Sequence, residues 1–237
     1  VKRLVLLAVL LVPMTAFAAA PDERCSARVD LTGLPLLELT TKKPSDRFAI
    51  MISGDGGWRR IDTKVTDRLR NAGIPVVGFL ANDYFAQRRT AEESSCALER
   101  VIRAYKLRWK KEKVMLVGYS RGADVLPFMI TRLPHDLRAS VEVVALLGLE
   151  PLIEFKYNSP WTSARFRKEP LYAVKPEVEK LRGMNVICVY GEKEKDSLCH
   201  MLDPKIFTIL REPGGHHFGG KYHDIGEAII AIVKPPS

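Results

Sequence analysis

Residues 114–129 read VMLVGYSRGADVLPFM, and this stretch decides the fold. An apolar run (113–119) stops at a serine, and a helix-like run (121–134) begins directly after it. A strand that becomes a helix within one residue forces the corner residue into an unfavourable backbone conformation and crowds the positions two before and two after it. Those positions are Gly118 and Gly122, which carry no side chain to clash. The corner residue, Ser120, then stands at a helix N-terminus, where free N–H groups and the helix dipole favour a developing negative charge. The pentapeptide G-x-S-x-G is common by itself. Its place between strand and helix is what marks Ser120 as a nucleophile.

The same alternation continues outward in both directions. RFAIMIS (47–53), IPVVGFL (74–80), VEVVALLGL (141–149), NVICVYG (185–191) and KIFTILRE (205–212) are short runs rich in Val and Ile, apolar on both faces, as strands inside a parallel sheet must be. LPLLELT (34–40) adds an earlier, more exposed strand. Between them lie helical patterns. Ile61, Val65 and Leu69 recur every four residues, and Gly73 suits a C-terminal stop. Thr90 followed by Glu93 is a capping box opening an amphipathic helix over 90–111, and YHDIGEAIIAIVK (222–234) is a closing helix. The pattern predicts an α/β fold, an open, mostly parallel sheet with helices on both faces, formed as one domain over 21–237. The segment 150–176 breaks the rhythm with aromatics, prolines and cations. It joins two strands at the active edge, so it is expected to form a cap or rim over the site.

Open parallel sheets carry their sites at the carboxyl ends of the strands. Asp196, in VYGEKEKDSLC, lies just past a late strand, where a carboxylate reaches a histidine and holds its tautomer; Glu192 and Glu194 are nearby competitors that read equally as solvated loop charges. REPGGHHFGG follows the last strand and offers a general base, His217 by the spacing of its loop, with His216 as the rival. ISGDGGW (52–58) follows an early strand. Gly56, Gly57 and Trp58 are its candidate oxyanion-hole donors, and the Arg121 backbone is the donor on the other side. The order Ser120, Asp196, His217 is that of the α/β-hydrolase fold. Neither phosphate-loop nor dinucleotide glycine pattern is present, adjacent histidines chelate one metal ion poorly, and no H-E-x-x-H occurs. No cofactor or metal is expected.

Lys2 and Arg3, the apolar stretch 4–12 and the alanines that follow read as a secretory leader over 1–20, which predicts a periplasmic protein. Four cysteines fit an oxidising compartment. Cys188 and Cys199 bracket one strand-to-loop segment and make the natural pair; Cys25 and Cys96 remain by elimination. Lysine and arginine outnumber aspartate and glutamate by nine, which favours anionic partners such as phospholipid headgroups. The cations are scattered rather than striped with aromatics, so direct nucleic-acid binding is not expected.

SGDGGW, GYSRGADVLPF, YGEKEKDSLC and GGHHFGG together resemble the VirJ/AcvB family of bacterial virulence proteins, relatives of the α/β-hydrolases, and the single-domain VirJ-like members above all. The resemblance spans about 48–233. It implies a periplasmic serine hydrolase acting on aminoacyl-phosphatidylglycerol (lysyl or alanyl), with an association to T-DNA transfer and to type IV secretion components or substrates. It gives Ser120, Asp196 and His217 or His216 the nucleophile, acid and base roles. The last loop departs from the family pattern, with Gly219-Gly220-Lys221-Tyr222 where a more acidic run is expected. An aminoacyl ester carries an ammonium beside the scissile carbonyl, so a carboxylate is expected in the pocket. Asp55 and Asp124 are the candidates by their closeness in sequence to the oxyanion loop and to Ser120. The alternative to an esterase is a non-catalytic docking or chaperone-like factor for type IV secretion substrates.

Overall fold

The computed structural model describes Cys25, residues 29–157 and residues 170–233; the expected leader lies outside the described residues. In chain order the strands are β1 (Leu36–Leu39), β2 (Arg47–Ile52), β3 (Val76–Phe79), β4 (Lys113–Tyr119), β5 (Val141–Leu147), β6 (Leu152–Ile153), β7 (Tyr172–Ala173), β8 (Val186–Gly191) and β9 (Thr208–Glu212). The helices are α1 (Arg60–Asn71), α2 (Ala81–Tyr84), α3 (Ala91–Trp109), α4 (Arg121–Thr131), α5 (His135–Ala139), α6 (Lys175–Glu179) and α7 (Tyr222–Val233). Seven strands form one sheet in the order β1-β3-β2-β4-β5-β8-β9, parallel except for β1 against β3.

Side chains on a strand alternate between faces, so strands that are apolar throughout feed two cores. Phe48, Ile50, Val114 and Leu116 join Leu98, Val101 and Ile102 of α3 and Leu126 of α4 on one face. Ala49, Met51, Met115 and Val117 join Ile61, Val65 and Leu69 of α1 and Ile225 and Ile229 of α7 on the other. Each large aliphatic side chain fully withdrawn from water stabilises the fold by about 1.5–3 kcal/mol. The capping box of α3 is formed as expected: the Thr90 hydroxyl accepts the Glu93 N–H at 3.0 Å, and the Glu93 carboxylate accepts the Thr90 N–H at 2.8 Å. Lys110, at φ 52°, ends that helix one residue short of the predicted stop. Cys25–Cys96 and Cys188–Cys199 are both disulfide-bonded.

The winding of the chain places the site. From β2 the chain runs outward to β3, then crosses back past β2 to β4 and continues in the other direction. The direction of winding therefore reverses between β2 and β4, paired in register from Arg47↔Lys113 to Ile52↔Gly118. A crevice opens at such a reversal, at the carboxyl ends of the strands. The glycine-rich loop leaves β2 there, and the Ser120 corner leaves β4. In the segment expected to cap this edge, β6 and β7 form a small antiparallel ribbon, and 158–169 lies outside the described residues.

Candidate active site

Ser120 stands at φ 53° and ψ −123°, a strained conformation for a residue with a side chain. The strain is held from three sides. A Cβ at Gly118 would lie 2.3 Å from the Gly122 carbonyl oxygen, and one at Gly122 would lie 2.2 Å from that of Ile52. The Ser120 N–H donates to the Leu147 carbonyl at 2.8 Å, and the Ser120 carbonyl accepts the Asp124 N–H at 3.0 Å. The corner is thus locked between β2, β5 and α4, with the serine side chain on the crevice. Arg121 opens α4, so its N–H has no carbonyl within the helix to bond.

The carboxylate–imidazole pair at this edge is Glu194 with His216, 2.6 Å from Oε1 to Nδ1. Gly191, at the end of β8, lets the loop after β9 pass close by: a Cβ there would lie 2.2 Å from the Gly215 carbonyl oxygen. A tight turn follows, with the Glu194 N–H donating to the Gly191 carbonyl at 2.8 Å and Glu194 Oε2 accepting the Gly191 N–H at 2.6 Å. Oε1 is left for His216. Burial pushes the Glu194 carboxyl up, but the His216 hydrogen bond, the Gly191 N–H and the nearby His216 and His200 outweigh it and hold it below the ordinary value. An ionised carboxylate can only accept, so Nδ1 of His216 carries the proton and Nε2 is left able to take another. Ser120, Glu194 and His216 line one cleft of about 480 Å³, and a second of about 550 Å³ continues from Ser120 and His216 across the β2 loop.

The expected acid and base are placed differently. Asp196 stands exposed on the rim of the same cleft, two residues beyond the turn that aims Glu194. His217 is exposed, and its Nδ1 lies 3.1 Å from the Tyr119 hydroxyl, which also reaches the His216 carbonyl at 3.2 Å. Tyr119 therefore holds the double-histidine loop from beneath, a contact no sequence pattern announced. The oxyanion candidates also shift. The Gly57 N–H is engaged by the Gly54 carbonyl at 3.1 Å. The Trp58 ring turns away to cover β3, where a Cβ at Gly78 would meet it at 2.5 Å. Gly56 is exposed in the turn. The β2 loop meets the serine at Gly54, where a Cβ would lie 3.1 Å from Ser120 Cβ, and the next residue, Asp55, lines the cleft with Ser120.

Neither Asp55 nor Asp124 presents an open carboxylate. Both Asp55 oxygens face the Arg121 guanidinium, Oδ1 on Nε and Oδ2 on Nη2 at 3.3 Å. Arg121 is 5% exposed and also donates to the Glu154 carbonyl at 2.6 Å, so the pair ties the β2 loop, α4 and the start of the cap together. Asp124 is buried, accepts the Glu150 N–H at 2.8 Å, and is pushed well above the ordinary carboxylate value by that burial.

A sheet wound in this way, with a strained serine on a strand–turn–helix corner, defines the α/β-hydrolase fold. Est1E from Butyrivibrio proteoclasticus superposes with a TM-score of 0.59 at 12% identity, covering 86% of this chain and 97% of that one. A Paleococcus ferrophilus monoacylglycerol lipase does so at 0.56 and 16%, covering 84% and 99%. An alpha-beta serine hydrolase homologue from Coxiella burnetii gives 0.54 and 12%, covering 84% and 91%. No curated protein sequence matches the chain. The family model described as bacterial virulence protein (VirJ) matches residues 46–235, and the chain belongs to that family.

Proposed function

We propose that the protein is a periplasmic serine esterase in which Ser120 is the nucleophile, His216 the base and Glu194 the acid. The observation that carries this reading is the strained Ser120 corner at the same sheet edge as the Glu194–His216 hydrogen bond. His216 Nε2 takes the Ser120 proton as Oγ attacks the ester carbonyl, and Glu194 stabilises the imidazolium. The N–H groups of Arg121 and Asp55 receive the oxyanion. Collapse of the tetrahedral adduct breaks the bond to the leaving alcohol, whose oxygen takes the proton from His216. Water, deprotonated by the same imidazole, then hydrolyses the acyl-serine and restores the enzyme.

The substrate we assign is aminoacyl-phosphatidylglycerol, as the family resemblance implies, with release of lysine or alanine. The cationic excess suits an enzyme that finds its headgroup on an anionic membrane, and two disulfides suit an oxidising compartment. The test is incubation of the purified protein with vesicles containing lysyl- or alanyl-phosphatidylglycerol while free amino acid is measured. Release by wild type and none by Ser120→Ala is expected. Release that survives Ser120→Ala overturns the mechanism. No release from either lipid overturns the substrate, and a protein that sustains secretion with Ser120 replaced is the docking factor instead.

A further inference from the structure

With Asp55 and Asp124 engaged elsewhere, two carboxylates that line the Ser120 cleft, Glu150 and the exposed Asp196, are left without an ion-pair partner among the described residues, and Glu150 is the one that lies against His216. Gly148, at φ 68°, ends β5 and turns the chain under His216; a Cβ there would lie 2.7 Å from the imidazole Cε1. The next two residues are pinned. The Leu149 carbonyl accepts the Leu198 N–H at 2.9 Å and the Ser197 hydroxyl at 3.2 Å, and the Glu150 N–H donates to the buried Asp124 at 2.8 Å. The Glu150 backbone is therefore fixed while its side chain lines the cleft with Ser120. Glu150, Glu194 and His216 each bring a polar side-chain atom within 4.8 Å of the others. Burial pushes the Glu150 carboxyl up, His216 partly offsets this, and the charges of Glu194 and Asp196 push it further. Lys193 and Lys195 also line the cleft. Among the described residues no lysine or arginine forms an ion pair with Glu150.

We propose that Glu150 is the specificity residue that receives the α-ammonium of an aminoacyl ester. This deepens the esterase reading and rests on it. In such an ester the ammonium sits on the carbon bonded to the scissile carbonyl, so a carbonyl held between Ser120 and His216 leaves the ammonium beside His216. Glu150 lies within 4.8 Å of the imidazole and of Glu194, which is already bonded to His216, while Asp196 stands on the exposed rim, and a cation beside Glu150 relieves the crowding of like charges around it. Asp124 acts through it as a positioning residue, anchoring the main chain from which Glu150 projects.

The test uses two glycerol esters that differ by the ammonium alone, L-alanyl and propionyl, with the full chain as wild type, Glu150→Gln and Ser120→Ala. The quantity read is the alanyl-to-propionyl ratio of kcat/KM, which cancels general damage to the site. Wild type prefers the alanyl ester, and Glu150→Gln lowers the ratio by about tenfold or more, as loss of a charge-assisted contact does. A ratio unchanged within about twofold overturns the proposal, whether the two activities hold or fall together. Hydrolysis of both esters by wild type and neither by Ser120→Ala keeps the esterase reading independent of that outcome. Wild type inactive on both overturns the esterase reading and this inference with it.

Discussion

The two halves of the crevice are built on different principles. On the β2–β4 half, the polar groups of the β2 loop and of the first turn after Ser120 are engaged inside the protein: Asp55 by Arg121, Asp124 by the Glu150 N–H, and Gly57 by Gly54. On the β5–β8–β9 half, Glu150, Glu194 and His216 arrive from three separate loops and keep polar atoms directed at the cleft. The first half holds a strained conformation; the second holds the groups that can move protons and recognise charge. A carboxylate's place on the β2 loop or in the turn after Ser120 therefore says little about its role, since Asp55 and Asp124 brace the corner.

Ways to break this contrast can be ranked by effect. Ser120→Ala is expected to lower kcat by about 10⁵-fold or more, and His216→Ala comparably, measured on whichever aminoacyl lipid is cleaved. His217→Ala, which loses a contact to Tyr119, should stay within about tenfold of wild type. Glu194→Gln should cost about 10³–10⁴-fold in kcat, and Asp196→Asn less than about threefold. A larger loss at Asp196 than at Glu194 would reverse the assignment of the acid.

The bracing half should answer in stability. Arg121→Ala removes a buried cation that donates to the Glu154 carbonyl and faces the half-exposed Asp55, and about 1.5–3 kcal/mol of unfolding free energy should be lost in urea titrations. Loss below about 0.5 kcal/mol would mean that the pair does not hold the corner.

A pH-dependent effect is expected at Asp62, buried at the start of α1. It accepts the Arg59 N–H at 2.8 Å, and its other oxygen is buried without a partner. Burial raises its pKa from 3.8 to about 6. A raised folded-state value means that the stabilising contribution is complete below the unfolded pKa and is lost as pH climbs through about 6, by up to about 3 kcal/mol. Asp62→Asn does not titrate, so its stability relative to wild type should rise between about pH 4 and pH 7. A pH-independent difference would show that Asp62 is solvated.

How legible the sequence was follows the same division. The Ser120 corner was readable because Gly118 and Gly122 answer a local steric demand, and the α3 capping box because Thr90 and Glu93 satisfy each other. The strands were readable because burial on both faces removes polar residues from them. The acid was not. Glu194 and Asp196 both follow β8, and only the turn that brings Glu194 back to the Gly191 N–H aims it, rather than Asp196, at His216. A carboxylate three residues past a strand-end glycine was the available signal. His216 and His217 are adjacent, and Tyr119, from a strand far away in the chain, decides which ring it holds. Burial of Asp124 likewise comes from packing that no local pattern records.

The most direct measurement is the mapping of a fluorophosphonate adduct by mass spectrometry after brief exposure of wild type, His216→Ala, His217→Ala and Ser120→Ala. The account predicts rapid adduct on Ser120 in wild type and His217→Ala, and little or none in His216→Ala. Rapid labelling of Ser120 in His216→Ala with its loss in His217→Ala, or no Ser120 adduct in wild type, would contradict it.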